Sequence, residues 1–341
     1  MANLKILVTG AGAPGTAGTI YSVKGMGQVV GTDIRKDANY IISKTYQVPT
    51  PSKQFQDELI KIIEKEKVDV VLPQVTAELP FLAELKNVTK AKILVNTKEK
   101  ISILNNKYKL LSNVKMFNKK CVGEFYFVKD LVEFKNIINN FKDNKCVVKL
   151  PSANGSRGVR ILTNETPSEK EFYSKPHSLN MSKTNLLKIF EKNFPTEGIM
   201  VTEYLSGKEY SVDVLAKEGK TIICVPRSRD KIVNGITFEG QLENNKEIIK
   251  NTTEIIKKLS IHGVVGFQYK MNDKGRPILI ECNPRIQGSM VNSTLGNANI
   301  IRGAIEQEIN GKASLSQKNI IWGTKIYRYW GFANEDFPYT Y

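Results

Sequence analysis

Apolar residues in this chain follow two rhythms, and the switch between them limits the folds open to it. In residues 1–95 the runs LKILVT, QVVGTD, VDVVLPQV and AKILVN are separated by stretches of helical spacing. Strands alternating with helices predict a doubly wound parallel sheet, an α/β domain. Helices are expected near Thr16–Met26, over Phe55–Lys67 and in TAELPFLAELKN. Beyond about residue 98 the strand-like runs come as neighbours: CVGEFYFV, CVVKLP with GVRILT, GIMVTEYL with EYSVDVLAK, and KTIICVPRS. Helical spacing recurs at Lys98–Leu111, Leu131–Phe141, Leu186–Asn193 and Lys246–Leu259. This second pattern predicts an α+β region with antiparallel sheets. Residues 164–185, polar and carrying Pro167 and Pro176, read as a flexible insertion.

Composition removes several function classes. The net charge of +16 is dispersed, with acids interleaved in stretches such as KIIEKEK and NNKEIIKN. It reads as a solvated surface with some pull on anionic substrates, and no nucleic-acid partner is expected. No apolar run reaches the roughly 20 residues that span a bilayer. The chain opens directly on a strand-like run, without a signal-peptide pattern. A cytoplasmic location with no membrane partner is the expectation. Cys121, Cys146, Cys224 and Cys282 are scattered, which fits small buried side chains rather than a disulfide framework or a zinc knuckle. With only His177 and His262, His-rich metal sites and His-based triads are not expected.

Gly10, Gly12 and Gly15 satisfy G-x-G-x-x-G directly after the first strand-like run, and Asp33 closes the second. Glycines let backbone N–H groups approach an anion at a helix N-terminus. On these residues alone two readings stand: a nicotinamide site, hence an NAD(P)-dependent Rossmann oxidoreductase, or a phosphate- or substrate-binding turn without one.

The segment GFQYKMNDKGRPILIECNPRIQGS, residues 266–289, carries the most chemistry. Two β-like runs flank NDKGRP, whose Asn, Asp, Gly and Pro favour reversal. If residues 273–276 form the loop, Gln268 faces Glu281, and Asn283 shares the face of Glu281. An amide oxygen, a carboxylate and a second amide oxygen then converge, an all-oxygen set suited to Mg²⁺. Arg285 follows, placed for an oxyanion. Cys282 points to the opposite face and reads as core. A surface hairpin with a hydrated polar face is the plainer reading of the same pattern.

This hairpin closely resembles the metal-binding core of ATP-grasp enzymes, particularly the carbamoyl-phosphate-synthase-like branch with its E-x-N-P-R signature. The resemblance extends over nearly the whole chain. Residues 1–98 look like a pre-ATP-grasp (Rossmann-like) domain, and 99–312 like an ATP-grasp fold of two subdomains that clasp ATP. The small ATP-covering subdomain would span about 113–203 and contain VVKLPSANGSRGVRIL, while 313–341 form an aromatic tail packed on the core. With these motifs in order, the first-turn glycines are expected to shape a nucleotide-free domain facing the acceptor substrate, with Gly12 among the substrate contacts.

The resemblance implies ATP and Mg²⁺ as cofactors, with Mn²⁺ as a substitute. It implies Gln268, Glu281 and Asn283 as metal ligands, and Lys107, Lys149, Ser156 and Gly158 around the phosphates. Backbone groups of Glu203 to Leu205 would bind adenine beside Tyr204 or Leu205, and Glu209 the ribose. Arg285, Arg227 and Lys149 would act on the transferred group, and Arg229 with Arg285 on the substrate; Asp213 is expected only as a buttress. The implied reaction activates a small carboxylate, or bicarbonate, to an acyl phosphate for attack by an amine or ammonia-like acceptor, releasing ADP. A 341-residue chain holds one such half and no glutaminase signature, which implies a stand-alone ligase, with room for a homodimer. The tail holds Trp322 and Trp330, and Arg328 reads as packing or as a substrate contact.

Overall fold

The computed structural model describes residues 3–36, 38, 41–141, 145–153, 158–163, 179–233 and 235–329. The first rhythm folds as expected. Strands β1 (Leu4–Thr9), β2 (Gly27–Asp33), β3 (Thr45–Gln47), β4 (Val70–Leu72) and β5 (Lys92–Ile93) form one parallel sheet in the order β3-β2-β1-β4-β5. The helix Lys53–Glu66 shows why the crossovers are helical. Ser52 caps it by accepting from the Phe55 amide, and Phe55, Leu59, Ile62 and Ile63 fall on its buried face. Such a cap contributes about 1 kcal/mol, and each buried large apolar side chain about 1.5–3 kcal/mol. The TAELPFLAELKN segment begins as a 3-10 turn, Thr76–Glu78, before the α-helix Leu79–Leu85, with Pro80 in its first turn.

The second rhythm gives three sheets. Strands β6 (Phe125–Val128), β7 (Cys146–Lys149), β8 (Val159–Thr163), β9 (Asn180–Ser182) and β10 (Ile199–Glu203) take the order β6-β10-β7-β8-β9. All their pairings are antiparallel except β8 with β9. The antiparallel sheet β12-β11-β15-β16 consists of β11 (Glu209–Lys217), β12 (Lys220–Ser228), β15 (Gly263–Met271) and β16 (Pro277–Asn283). A small sheet pairs β14 (Ile236–Gln241) with β13 (Lys231–Val233) and with β17 (Lys325–Tyr327).

One apolar core joins the first sheet to the β11–β16 sheet. It runs from Ile6, Val8, Val70 and Leu72 through Ile300, Ile301 and Ala304 of the helix Ile300–Asn310 to Leu215, Val225 and Val264. The helix Lys246–Lys258 covers the other face of that sheet, with Ile248, Ile255 and Ile256 buried against Val212, Val214 and Val265. Trp322 packs against the first core, whereas Trp330 and residues 164–178 lie outside the described residues. All four cysteines are buried free thiols.

One helix departs from expectation. The run Lys98–Leu111 divides into Lys98–Leu104 and Lys107–Phe117, because the Asn106 side chain caps a new helix by accepting from the Lys109 amide. This break places Lys107 in the first turn of the second helix.

Candidate active site

A cavity of about 1190 Å³ opens where the sheets meet, reaching from Tyr204 and Leu205 past Lys149, Gln268 and Glu281 to Ala13, Pro14 and Gly15. Its floor is the β15–β16 hairpin. Gln268 pairs with Glu281 and Gly266 with Asn283, as expected, but by a different path. Nearer the turn the register is shifted, with Tyr269 opposite Leu279 and Met271 opposite Pro277. The turn spans 272–276, closed by the Asn272 amide on the Arg276 carbonyl. A β-bulge at Ile280 restores the pairing at Gln268. Two residues opposing one lets the strand change which parity faces a surface. Ile278 and Ile280 therefore line the cavity on the turn side, and Glu281 and Asn283 line it beyond the bulge. Cys282 faces the core, and burial pushes its thiol well up.

Each of the three oxygen-bearing side chains is met by a protein cation. Gln268 Oε1 accepts from Arg229 Nη1 at 3.2 Å, Glu281 Oε2 lies 3.3 Å from Lys107 Nζ, and Asn283 Oδ1 accepts from Arg285 Nη2 at 3.4 Å. The Asn283 amide nitrogen donates to Glu281 Oε1 at 3.2 Å. Among the described residues there is no cluster of three or more His, Cys, Asp and Glu. One carboxylate and two amides fit Mg²⁺, which takes few protein ligands and completes its shell with water and phosphate oxygens. Positive charge already gathers on these oxygens, which is the polarity a cation site requires.

Lys149, at the end of β7, is 9 % exposed and lines the cavity. Burial pulls its ammonium down to about 8, the Glu281 carboxylate pulling the other way and Lys107 adding to the drop. Lys107 also donates to the Ala153 carbonyl at 2.5 Å. Arg285 lines the same wall, its Nε donating to Thr76 Oγ1 at 2.8 Å across the interface with the first sheet. Burial lowers its pKa against the pull of Glu281.

Along the other edge, Arg229 donates to Glu209, to the Gly235 carbonyl at 2.6 Å and to Thr237 at 3.0 Å. Glu209 and Arg229 thus enter the cavity as an ion pair. The Glu203 carboxylate accepts from the Glu124 amide at 3.1 Å, and burial raises its pKa. Tyr204 lies beneath Lys145, whose Nζ is 3.9 Å from the ring centroid. Gly158 has φ +65 and packs on Leu150 rather than lining the cavity, and Ser156 lies outside the described residues.

Two further expected positions lie off the cavity. Arg227 is 1 % exposed and does not line the cavity; its fork grips Asp213 at 2.7 and 3.0 Å and Ser289 Oγ at 3.1 Å. The buttress Asp213, fully buried and also bonded by Ser293, is what draws Arg227 inward. Gly12 likewise stays off the cavity. Its amide donates to Asp33 Oδ2 at 2.9 Å and its carbonyl accepts from Arg35. Burial raises the Asp33 pKa, but hydrogen bonds from Arg35 and Gly12 outweigh it and hold the carboxyl below its usual value. Asp33 thus serves its own loop, which removes the basis for a dinucleotide there. Gly15 instead meets Gly288, where an added Cβ would stand 2.3 Å from the Gly288 Cα. Of the first-turn glycines, Gly15 seats the first sheet's loop on the chain that follows the hairpin, whereas Gly10 faces Val75 and Gly12 faces Arg35.

Several cavity residues went unread in the sequence: Gln74, Ile278, Ile280, Gln287 and Ser289. The only signal for Gln287 and Ser289 was their place in PRIQGS.

Comparison with known proteins agrees with this geometry. Residues 195–324 match a family model described as ATP-grasp in the biosynthetic pathway with Ter operon. No curated protein matches the chain. Among solved structures, the biotin carboxylase domain of Hydrogenobacter thermophilus 2-oxoglutarate carboxylase, a dimer with MgADP, ADP and bicarbonate, superposes at TM-score 0.68 and 15% identity, covering 94% of this chain and 73% of that one. L-amino acid ligase from Bacillus licheniformis gives 0.66 and 15% over 93% and 76%. N5-carboxyaminoimidazole synthetase from Staphylococcus aureus gives 0.65 and 18% over 92% and 78%. The chain has the ATP-grasp fold. Among the described residues no helix is long and apolar enough to cross a membrane.

Proposed function

We propose that the chain is an ADP-forming ATP-grasp ligase that activates a small carboxylate as an acyl phosphate and joins it to an amine or ammonia-like acceptor. The observation that carries this reading is the meeting of Gln268, Glu281 and Asn283 with Lys107, Lys149 and Arg285 in one cavity that also reaches the first sheet's loop. The Ile278–Ile280 side of the hairpin, with Tyr204 and Leu205, gives the apolar end a base requires. Glu209 would hold ribose hydroxyls, oriented by Arg229. Bound Mg²⁺ would neutralise charge on the transferring phosphoryl group. Lys107 and Lys149 would turn to phosphate oxygens, and Arg285 would hold the oxygens of the group in flight. Arg227 is assigned a positioning role, since it reaches the cavity only through Ser289. The divisions 1–98, 99–312 and 313–341 are proposed as the units of this machine.

The test is ADP release screened over amino acids, other small carboxylates and bicarbonate, with and without amines, beside the melting-temperature rise given by MgADP. Glu281→Gln is expected to lower stimulated release at least 100-fold and to erase the MgADP shift with the circular dichroism spectrum unchanged. Undiminished turnover in that variant overturns the reading. A rise with NADH in place of MgADP would do the same.

A further inference from the structure

Strand β6 lies at the open edge of its sheet, and a groove of about 720 Å³ is lined by its residues. β6 pairs with β10 on one side, and among the described residues no strand pairs with the other. The Glu203 amide donates to the Glu124 carbonyl at 3.0 Å, which fixes the alternation along the strand. Residues 124, 126 and 128 bond β10, so the N–H and C=O groups of Phe125 and Phe127 point away from it, toward the open edge. Unpaired backbone of this kind is a template for another strand, and proteins blunt it with proline, lysine or a bulge. The run FYFV contains none of these.

The other wall of the groove is the helix Lys107–Phe117. Tyr108, Ser112, Lys115 and Met116 line it from one face of that helix, as their spacing of three or four residues requires. Tyr108 stacks on Phe127 with ring centroids 4.6 Å apart and meets Phe125 edge-on at 6.1 Å, which joins the helix to the strand. Tyr108, Met116 and Tyr126 stay exposed, Met116 at 76 %. Lys115, Lys119 and Lys129 also line the groove; all three are exposed, and none forms an ion pair among the described residues. The Glu133 carboxylate in the same lining accepts from the Lys129 amide at 3.2 Å.

We propose that this groove docks an acidic, extended peptide segment of a partner protein, which adds a strand to β6 and lays alternate apolar side chains on the Tyr108–Phe127 floor. Three ammonium groups without a carboxylate partner select an acidic segment. An edge that offers donors and acceptors in alternation selects a peptide backbone over a nucleic acid, and Tyr108 and Phe127 already spend a ring face on each other. A second copy of this chain fits poorly, because two-fold pairing of β6 edges would bring two sets of three lysines together. The docking stands or falls independently of the ligase reading.

The probe is a fluorescein-labelled octapeptide of alternating glutamate and valine, followed by fluorescence anisotropy at low salt. It is expected to bind at least tenfold tighter than the octapeptide with lysine in place of glutamate, and to weaken as salt rises. Lys115→Glu and Lys129→Glu should each weaken it at least fivefold, with the melting temperature unchanged. Strand pairing is tested on the wild-type protein with two further peptides, one N-methylated at its valines and one at its glutamates. One methylation is expected to cost at least tenfold and the other less than threefold, because only alternate N–H groups face β6. Equal losses from the two, or none, overturn the inference, as does an acidic octapeptide that does not bind. Tighter binding of oligothymidylate at the same lysines gives the groove to a nucleic acid, and a dimer in analytical ultracentrifugation that Lys115→Glu dissolves gives it to a second copy; either result overturns the inference.

Discussion

Replacing Lys149 with Met is expected to stabilise the protein while disabling it. The Lys149 ammonium is carried in the folded state at a cost, because burial drops its pKa from 10.5 to about 8. At about 1.4 kcal/mol for each pH unit, that difference amounts to about 3 kcal/mol at pH 7. The sign follows from proton counting. The folded pKa lies below the unfolded one, so the unfolded chain binds more protons between about pH 8 and pH 10.5, and wild-type stability rises with pH across that window. Methionine fills a similar volume without the charge and removes the cost. Lys149→Met should therefore melt roughly 4 °C higher at pH 7. By pH 9.5 the wild-type penalty falls to about 1.4 kcal/mol, and the gain should shrink with it. Thermal melts followed by circular dichroism at the two pH values, with and without MgADP, measure both halves. The same variant should lose most of its response to MgADP. A variant melting at or below wild type at pH 7, or a gain that does not shrink by pH 9.5, refutes the claim that Lys149 is held as a desolvated cation.

Asp213→Ala leaves the Arg227 guanidinium buried without its carboxylate and should cost about 3–5 kcal/mol. Urea denaturation reads this directly, and an unmoved midpoint contradicts it. Glu78, 2 % exposed and bonded by the Thr9 hydroxyl, has its carboxyl raised by burial from 4.5 to about 7. The native state holds that proton longer than the unfolded chain, so wild-type stability falls as pH rises from about 4.5 through 7. Glu78→Gln should therefore gain up to about 3 kcal/mol at pH 8 and almost nothing at pH 4; equal gains at both pH values would disprove it. Gly15→Val drives a side chain into Gly288, where even a Cβ stands 2.3 Å from the Cα. Carboxylate-stimulated ADP release should drop at least tenfold while the MgADP melting shift survives, and loss of the shift with retained stimulation would reverse the assignment.

The parallel first sheet was legible because its strands are short apolar runs buried on both faces, such as Ile6–Val8 and Val70–Leu72. The pairing of Gln268 with Glu281 was also legible, though for an incomplete reason. The turn is one position longer than its Gly and Pro suggested, and the Ile280 bulge compensates. A bulge has no composition of its own here, so the apolar lining by Ile278 and Ile280 could not be read. Arg227 and Arg229, two apart in sequence, looked equivalent. Asp213, a diagonal neighbour of Arg227 across β11 and β12, separates them by claiming one guanidinium while Glu209 takes the other. Partner choice of this kind depends on strand order, which local sequence does not encode. The G-x-G-x-x-G run alone left two readings open for the opposite reason: close backbone approach needs glycine whether the neighbour is a pyrophosphate or Gly288.

The Ile280 bulge also decides how this hairpin can vary over evolutionary time. Residues added at the tip, within 272–276, would lengthen an exposed loop and leave the platform untouched. A single insertion or deletion between Pro277 and Asn283 would exchange the greasy half of the platform for the acidic half, unless a second change erased the bulge. Length drift in such proteins should therefore collect at the tip, with the seven-residue spacing of β16 kept fixed.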